Sequence, residues 1–337
     1  MSAVKEYFEY AIIGAGIAGL VVAEQLRKAG ASAVVLEQSP VVGGRMASTR
    51  LPGDQNTSVD SLTSFDHGAQ YFTVRDYRFR RMVEPWMEIG LVREWSKGFA
   101  TSDGSVYIDG LSRFYGYPDM NAIPNHLARR LDIRLDTQIT TIQWRRPYWH
   151  ITAADSREFS ADLLVLTPPV PISLGLLDAG GIELPADRRA VLSRIEFEPC
   201  IAVLLLLTGP SSLPQPGGMW SLGEPIAWMA DNHIKGVSTI PGAITIHAGP
   251  DFSEDNWLSK DEFITNELLS AAGEWLGSEV SAAQVHRWRN SKPIMTYPEP
   301  CLLIENPGPV VFAGDAFAGP RIEGAVLSGL AAVNTLL

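Results

Sequence analysis

Cysteine is scarce: Cys200 and Cys301 are the only two in 337 residues. They stand in unrelated contexts with no CxxC pair, which excludes a disulfide framework or dithiol motif and suits a reducing compartment. Both are expected as small buried hydrophobes. The six histidines are scattered, with no HExxH motif or Cys/His cluster, so no metal is expected. Positive charge is the minority: 27 Lys and Arg against 38 Asp and Glu give a net charge of −11 and no basic run. Nucleic acid and anionic membranes are therefore not expected as main partners. No stretch reaches the ~20 apolar residues of a membrane span. Tyr10–Ala23 has the apolarity of a signal-peptide core, but Lys5 and Glu6 are a poor positive flank and a glycine motif interrupts it. The expectation is a cytoplasmic protein. No catalytic triad or dyad is evident, which fits chemistry that needs no strong acid or base.

What is present begins at Tyr10-Ala11-Ile12-Ile13-Gly14-Ala15-Gly16-Ile17-Ala18-Gly19, an apolar run entering a glycine turn from which a helix leaves. Gly14, Gly16 and Gly19 have the G-x-G-x-x-G spacing of a dinucleotide turn. The first glycine makes the turn, the second admits a pyrophosphate to the backbone, and the third packs helix on strand. The helix N-terminus adds N–H donors and partial positive charge. Ala33–Leu36 reads as a second buried strand, and Glu37 closes it 18 residues after Gly19, where a ribose-binding acid belongs. Gly43-Gly44-Arg45-Met46 suggests a second close approach, with the guanidinium on phosphate. Asp66-His67-Gly68-Ala69-Gln70-Tyr71-Phe72-Thr73 frames small residues with aromatics, so a flat ring could lie on backbone while Gln70 and Tyr71 address its edge. For His67 alone, a hydrogen-bonded loop histidine outweighs a catalytic base.

Hydrophobic periodicity predicts helices over Ile17–Ala29, Tyr77–Ile89, Met120–Leu131, Arg188–Arg194 and Asp261–Leu276, and one from Arg321 to Leu337. It predicts strands over Leu91–Trp95, Val106–Ile108, Ile133–Trp144, Trp149–Thr152, Leu163–Leu166, Cys200–Leu207, Ile226–Ala230, Ile244–Ala248 and Val310–Phe312. Leu51–Ser64 reads as an exposed loop or irregular hairpin, and Thr167-Pro168-Pro169 as a crossing out of the nucleotide domain. At the far end, Ala313-Gly314-Asp315 follows a strand and precedes a helix, which again offers N–H donors and a carboxylate to a phosphate or ribitol.

In this order the motifs resemble the amine-oxidase-like flavin oxidoreductases, and within them the renalases. The carriers are GAGIAG, Glu37, GGRM, DHGAQYFT, HRWRNS at His286–Ser291 and AGDAFAGPRIEGAVLSG at Ala313–Gly329. The resemblance implies an α/β fold: a Rossmann-like FAD-binding domain of glutathione-reductase type with an inserted mixed-sheet substrate domain. It places the first over residues 1–78, 121–169 and 299–337, and the second over 79–120 and 170–298. It implies noncovalent FAD held by Gly14, Ala15, Gly16, Ala18, Gly19, Glu37, Gln38, Gly44, Arg45 and Met46. Gly68, Ala69 and Gln70 would line the isoalloxazine, Ile139 would serve adenine, and Gly314, Asp315 and Ile322 the ribityl end.

Renalase-like enzymes oxidise dihydro-NAD(P) isomers reduced at the wrong ring carbon, pass hydride to FAD and reduce dioxygen to hydrogen peroxide. The resemblance implies that reaction here, with Gln70, Tyr71, His247, Trp288 and Arg289 positioning the substrate. His67 departs from the apolar residue of many relatives, as Ala316–Pro320 departs from a more polar loop. The competing readings are an oxidase of small amines, for which Lys292 is the lysine in a suggestive motif, an enzyme acting on a long apolar substrate, and a non-catalytic FAD sensor.

Overall fold

The computed structural model describes residues 6–51 and 63–337. The chain divides into two units. The first comprises Met1–Gly44, Pro124–Phe197 and Pro293–Leu337; the second comprises Arg45–Ile123 and Glu198–Lys292.

The first unit is built on the parallel strands Val310–Phe312, Glu158–Leu166, Glu6–Ile13, Ala33–Leu36 and Asp132–Arg134, in that spatial order. Leu302–Ile304 adds an antiparallel edge, and Ile139–Arg145 with Tyr148–Ala153 forms a hairpin that pairs with Glu158–Leu166. Ala11, Ile12, Val34, Val35, Leu164, Val165, Val310 and Val311 are all sealed from solvent, as strands covered on both faces must be. Helices Ile17–Lys28 and Ile322–Leu336 pack together. A Cβ on Gly329 would lie 2.8 Å from the Ala18 carbonyl oxygen, so glycine permits that approach.

The second unit carries a seven-stranded sheet in the order Val280–Pro293, Phe197–Leu207, Ala243–Ala248, Ile226–Asp231, Gly218–Gly223, Val92–Thr101 and Val106–Gly116. Pairing is antiparallel from Phe197–Leu207 through Gly218–Gly223 and parallel between Met219 and Ala100. Helix Asp261–Leu276 contributes Ile264, Leu268 and Ala272 to the same core as Ile201, Val203, Ile244 and Ile246. A small hairpin, Ser48–Leu51 with Thr63–Asp66, sets Leu51 and Phe65 against Leu204 and Ala243.

Many anticipated elements form within a residue or two of their expected ends, but four strands run longer: Val92–Thr101, Val106–Gly116, Glu158–Leu166 and Phe197–Leu207 replace the expected Leu91–Trp95, Val106–Ile108, Leu163–Leu166 and Cys200–Leu207. Ile133–Trp144 is two strands, Asp132–Arg134 and Ile139–Arg145, and the Met120–Leu131 helix shortens to Ala122–Ala128. The predicted Leu51–Ser64 loop falls largely outside the described residues. Two expected boundaries move. Pro168-Pro169 starts a helix, Val170–Ala179, with Pro169 at its N-cap, and Leu174, Leu177 and Leu192 join the first unit's core. The chain leaves that unit at Phe197 instead. Residues 45–78, expected with the nucleotide domain, belong to the second unit because Leu51 and Phe65 bury there. Among the described residues, no helix is long and apolar enough to cross a membrane.

Candidate active site

In the first unit, the turn after the first strand is a cradle built from backbone. Gly14 sits at φ +97°, and its N–H donates to the Leu36 carbonyl at 2.9 Å. Glu37, 8% exposed, accepts from the Ala15 N–H through Oε2 at 2.7 Å and from the Ser39 N–H through Oε1 at 2.9 Å. Its carboxylate ties the glycine turn to the second strand and keeps lone pairs for a diol. The Ala15 carbonyl accepts from Gly43 N–H at 2.9 Å, which brings Gly43 and Gly44 against Gly16. Thr167, which sequence reasoning passed over as part of a breaker, donates through Oγ1 to the Ile13 carbonyl at 2.7 Å.

The glycines are required for different reasons. A Cβ on Gly19 would lie 2.1 Å from the Gly14 carbonyl oxygen, so close packing demands glycine there. Gly16 has an ordinary φ of −69°, and a Cβ would meet no atom of the described residues within 4 Å. Nothing inside the protein needs Gly16 to be glycine. It is the N-cap of the twelve-residue helix, has no side chain to cap it, and is followed by no acidic residue in the first turn. Uncapped N–H groups beneath open space fit a dinucleotide pyrophosphate. Gly16→Ala is therefore expected to change the unfolding free energy of the apoprotein by no more than about 1 kcal/mol. It should also release bound dinucleotide. Denaturation of the apoprotein and absorbance of the retained cofactor measure the two effects, and unimpaired retention would contradict the assignment.

Of the remaining first-unit residues anticipated, Ala15 and Ala18 are buried in the turn and helix, and Gln38 is exposed. Ile139 is a core residue at 8% exposure, its register opposite Ala153. Gly314 lies at φ +144°, and its N–H is held by Ser328 Oγ at 2.8 Å. Asp315 opens the four-residue helix Asp315–Ala318, and Ile322 opens the last helix.

In the second unit the Asp66–Gln70 loop is the organising feature. The Asp66 carboxylate accepts from Lys235 Nζ at 2.6 Å, Ser48 Oγ at 2.6 Å and the Met120 N–H at 2.9 Å. Its N–H reaches Asn232 Oδ1, and its carbonyl accepts from Thr245 Oγ1 and Gln70 Nε2. Asp66 and Lys235 are both fully buried, and the ammonium lies 4.8 Å from the Trp95 ring centroid. Burial pulls the lysine below its ordinary value, and Asp66 opposes that shift. Burial, then the charge of Asp66, holds the Asp119 carboxyl up.

The next carbonyl, His67 O, accepts from Trp288 Nε1 at 3.0 Å and from His247 Nε2 at 3.2 Å. The His67 ring stacks on Trp288 at 5.2 Å with a 14° interplanar angle and meets His286 edge-on at 4.4 Å. Burial is the main cause that pushes His67 down to about 3 and His247 down to about 4. His286 is lowered by burial as well. Each imidazole therefore stays uncharged at pH 7, and His67, pushed so far down, is too weak a base for general-base work near neutrality. Its ring Nδ1 has no hydrogen-bond partner among the described residues.

Gly68 and Ala69 follow, threaded under Arg45. A Cβ on Gly68 would stand 2.2 Å from the Arg45 carbonyl oxygen, and that carbonyl accepts from Ala69 N–H at 2.8 Å. Arg45 Nη1 donates to the Ser291 carbonyl at 3.0 Å, and Met46 is buried. Tyr71 faces a separate aromatic group of Trp95, Phe99 and Trp228.

Of the anticipated substrate-side residues, Gln70, His247 and Trp288 thus converge on one loop, joined by His67 and His286. Arg289 does not. It is exposed, pairs with Glu254 at 2.8 Å and lies over Trp257. Lys292 is also an exposed side chain, 3.4 Å from Glu198. Cys200 and Cys301 are half-buried free thiols, with Cys200 pushed up to about 12 by burial. No group of metal-ligating side chains occurs among the described residues.

The sequence matches the model of an NAD(P)-binding Rossmann-like domain over residues 12–86 and that of the flavin containing amine oxidoreductases over 92–337. A solved protein from Exiguobacterium sp. 255-15, provisionally assigned as a protoporphyrinogen oxidase, is 13% identical, with a TM-score of 0.74 over 99% of each chain. Cyclohexylamine oxidase from Brevibacterium oxydans IH-35A is 14% identical, with a TM-score of 0.73 over 98% of each. These are likenesses of fold. An Arabidopsis thaliana relative, provisionally named flavin-containing monooxygenase FMO GS-OX-like 11, is 43% identical over 65 residues, 19% of this chain and 39% of its own length.

Proposed function

Because the chain belongs to the flavin containing amine oxidoreductase family, we propose that it is an oxidase of isomeric dihydronicotinamides, the 2- or 6-dihydro forms of NAD(P). FAD is its cofactor and small molecules are its substrates. Bound FAD supplies the acceptor for the hydride and the route by which dioxygen becomes hydrogen peroxide. The cradle around Gly14, Gly16 and Glu37 would hold the dinucleotide end, and Gly68, Ala69 and Gln70 would lie along the ring. Arg45 is assigned to the phosphates.

One observation carries the substrate assignment: the loop that would face the flavin is lined by neutral rings, His67, His286 and Trp288, and its one buried ion pair is closed on itself. Oxidation of a dihydronicotinamide regains aromaticity and needs a ring stacked in place and water kept out, without an acid or base. His67, Trp288 and His247 suit that work, since each is fixed by a bond or stack to the next.

Oxidation of a small amine is the second reading, favoured by the aromatic group of Tyr71, Trp95, Phe99 and Trp228. Anaerobic mixing decides between them. Flavin absorbance should bleach rapidly with 2- or 6-dihydro-NAD(P), and slowly or not at all with ordinary NADH and a panel of amines. Bleaching by amines alone would overturn the proposal in favour of the second reading; bleaching by none would favour a sensor.

A further inference from the structure

Two side-chain atoms on the Asp66–Gln70 loop are buried with no hydrogen-bond partner among the described residues: Gln70 Oε1 and His67 Nδ1. Gln70 is 6% exposed and His67 5%. Leaving such atoms unmade costs more than a hydrogen bond ordinarily returns, so a pair on one loop points to a ligand.

The amide of Gln70 cannot be turned to hide its oxygen. Its Nε2 donates to the Asp66 carbonyl at 2.6 Å and to the Gly68 carbonyl at 3.2 Å. Both partners are acceptors, so the NH2 end is fixed there and Oε1 points away from them as an acceptor only. The His67 ring is equally constrained, between Trp288 in a stack and His286 at its edge. As a neutral imidazole it can carry its proton on Nδ1. The loop then presents one acceptor and one donor, both neutral.

We propose that His67 and Gln70 are a specificity pair for the primary carboxamide of the substrate. Gln70 Oε1 accepts an amide N–H, and His67 Nδ1–H donates to the amide oxygen. This rests on the dihydronicotinamide reading. A primary carboxamide is a neutral group that offers both complements on adjacent atoms. A carboxylate would set an anion against Gln70 Oε1. An ammonium would need the other His67 tautomer, with Nδ1 as acceptor, and its charge would meet no free carboxylate on the loop, because Asp66 is committed to Lys235.

The test compares FAD-loaded wild type with His67→Met, using 6-dihydronicotinamide mononucleotide and its 3-acetyl and 3-carboxylate analogues. The acetyl group keeps the carbonyl and loses the N–H, so it probes Gln70 without a mutation. In wild type, the acetyl analogue should reduce flavin about 10- to 100-fold less efficiently than the carboxamide, the worth of one unsatisfied buried acceptor. His67→Met should weaken the carboxamide by about tenfold and leave the bound flavin in place. Oxidised nicotinamide and nicotinic acid mononucleotides, titrated by flavin difference absorbance, supply a binding readout free of turnover. Equal treatment of carboxamide and acetyl compounds by wild type would overturn the pair. So would His67→Met losing FAD while keeping wild-type discrimination, because the orphan atoms would then serve the flavin. Failure of the functional reading looks different: no dihydronicotinamide would bleach the flavin, while the mononucleotide titrations would still report on the pair.

Discussion

Lys235→Met is expected to remove about 3–5 kcal/mol of stability, the largest effect of any single substitution considered. The ammonium and the Asp66 carboxylate meet at 2.6 Å with both side chains fully buried. Without Lys235 the carboxylate keeps Ser48 Oγ and the Met120 N–H but no opposite charge. An uncompensated ion in that setting is far more expensive than the pair is valuable. The double variant Asp66→Asn/Lys235→Met should therefore recover most of the loss, since the amide oxygen can still accept from Met120. Denaturant unfolding followed by tryptophan fluorescence measures both. A single-variant loss below about 1 kcal/mol, the range of a surface pair, would contradict the burial argument. Function should fall with stability, because the same Asp66 also receives Gln70 Nε2 and Thr245 Oγ1 at its carbonyl.

That pair was invisible in the sequence for a physical reason. Asp66 and Lys235 are 169 positions apart, and neither residue alone carries a signal of burial or partnership. Local backbone geometry was more legible. The turn at Gly14–Gly19, Glu37 and the run Gly68–Gln70 depend on short-range backbone geometry, which glycine spacing encodes directly. The placing of Arg289 beside Trp288 shows what was misread. Both lie on the strand Val280–Pro293, where successive side chains face opposite ways, so the two could not serve one site. Trp288 turns inward to His67, and Arg289 turns outward to Glu254. Pro168-Pro169 was read as a break although proline is equally a helix opener, and only the leucines after it, spaced to pack on the sheet, distinguish the two.

His67→Met should also flatten the acid limb of the stability curve by about 2–3 kcal/mol between pH 6.5 and 4.5. Unfolded, this imidazole titrates near 6.5; folded, it is pushed down to about 3 by burial and by the neighbouring His286 and His247. Above pH 6.5 it is neutral in both states and costs nothing. As pH falls, the unfolded chain takes up a proton that the folded loop refuses, so stability drops until the folded group itself protonates near pH 3. Methionine removes that proton and fills similar space against Trp288. His247, pushed down to about 4, lies near Lys235 and keeps a slope of the same sign, so the variant's curve should be shallower without becoming flat. Unfolding free energies of the two proteins, measured at matched pH from 7.5 to 4.5, give the difference directly. Parallel curves would mean that His67 gains a proton in the folded state, and with it the charged role that its burial argues against.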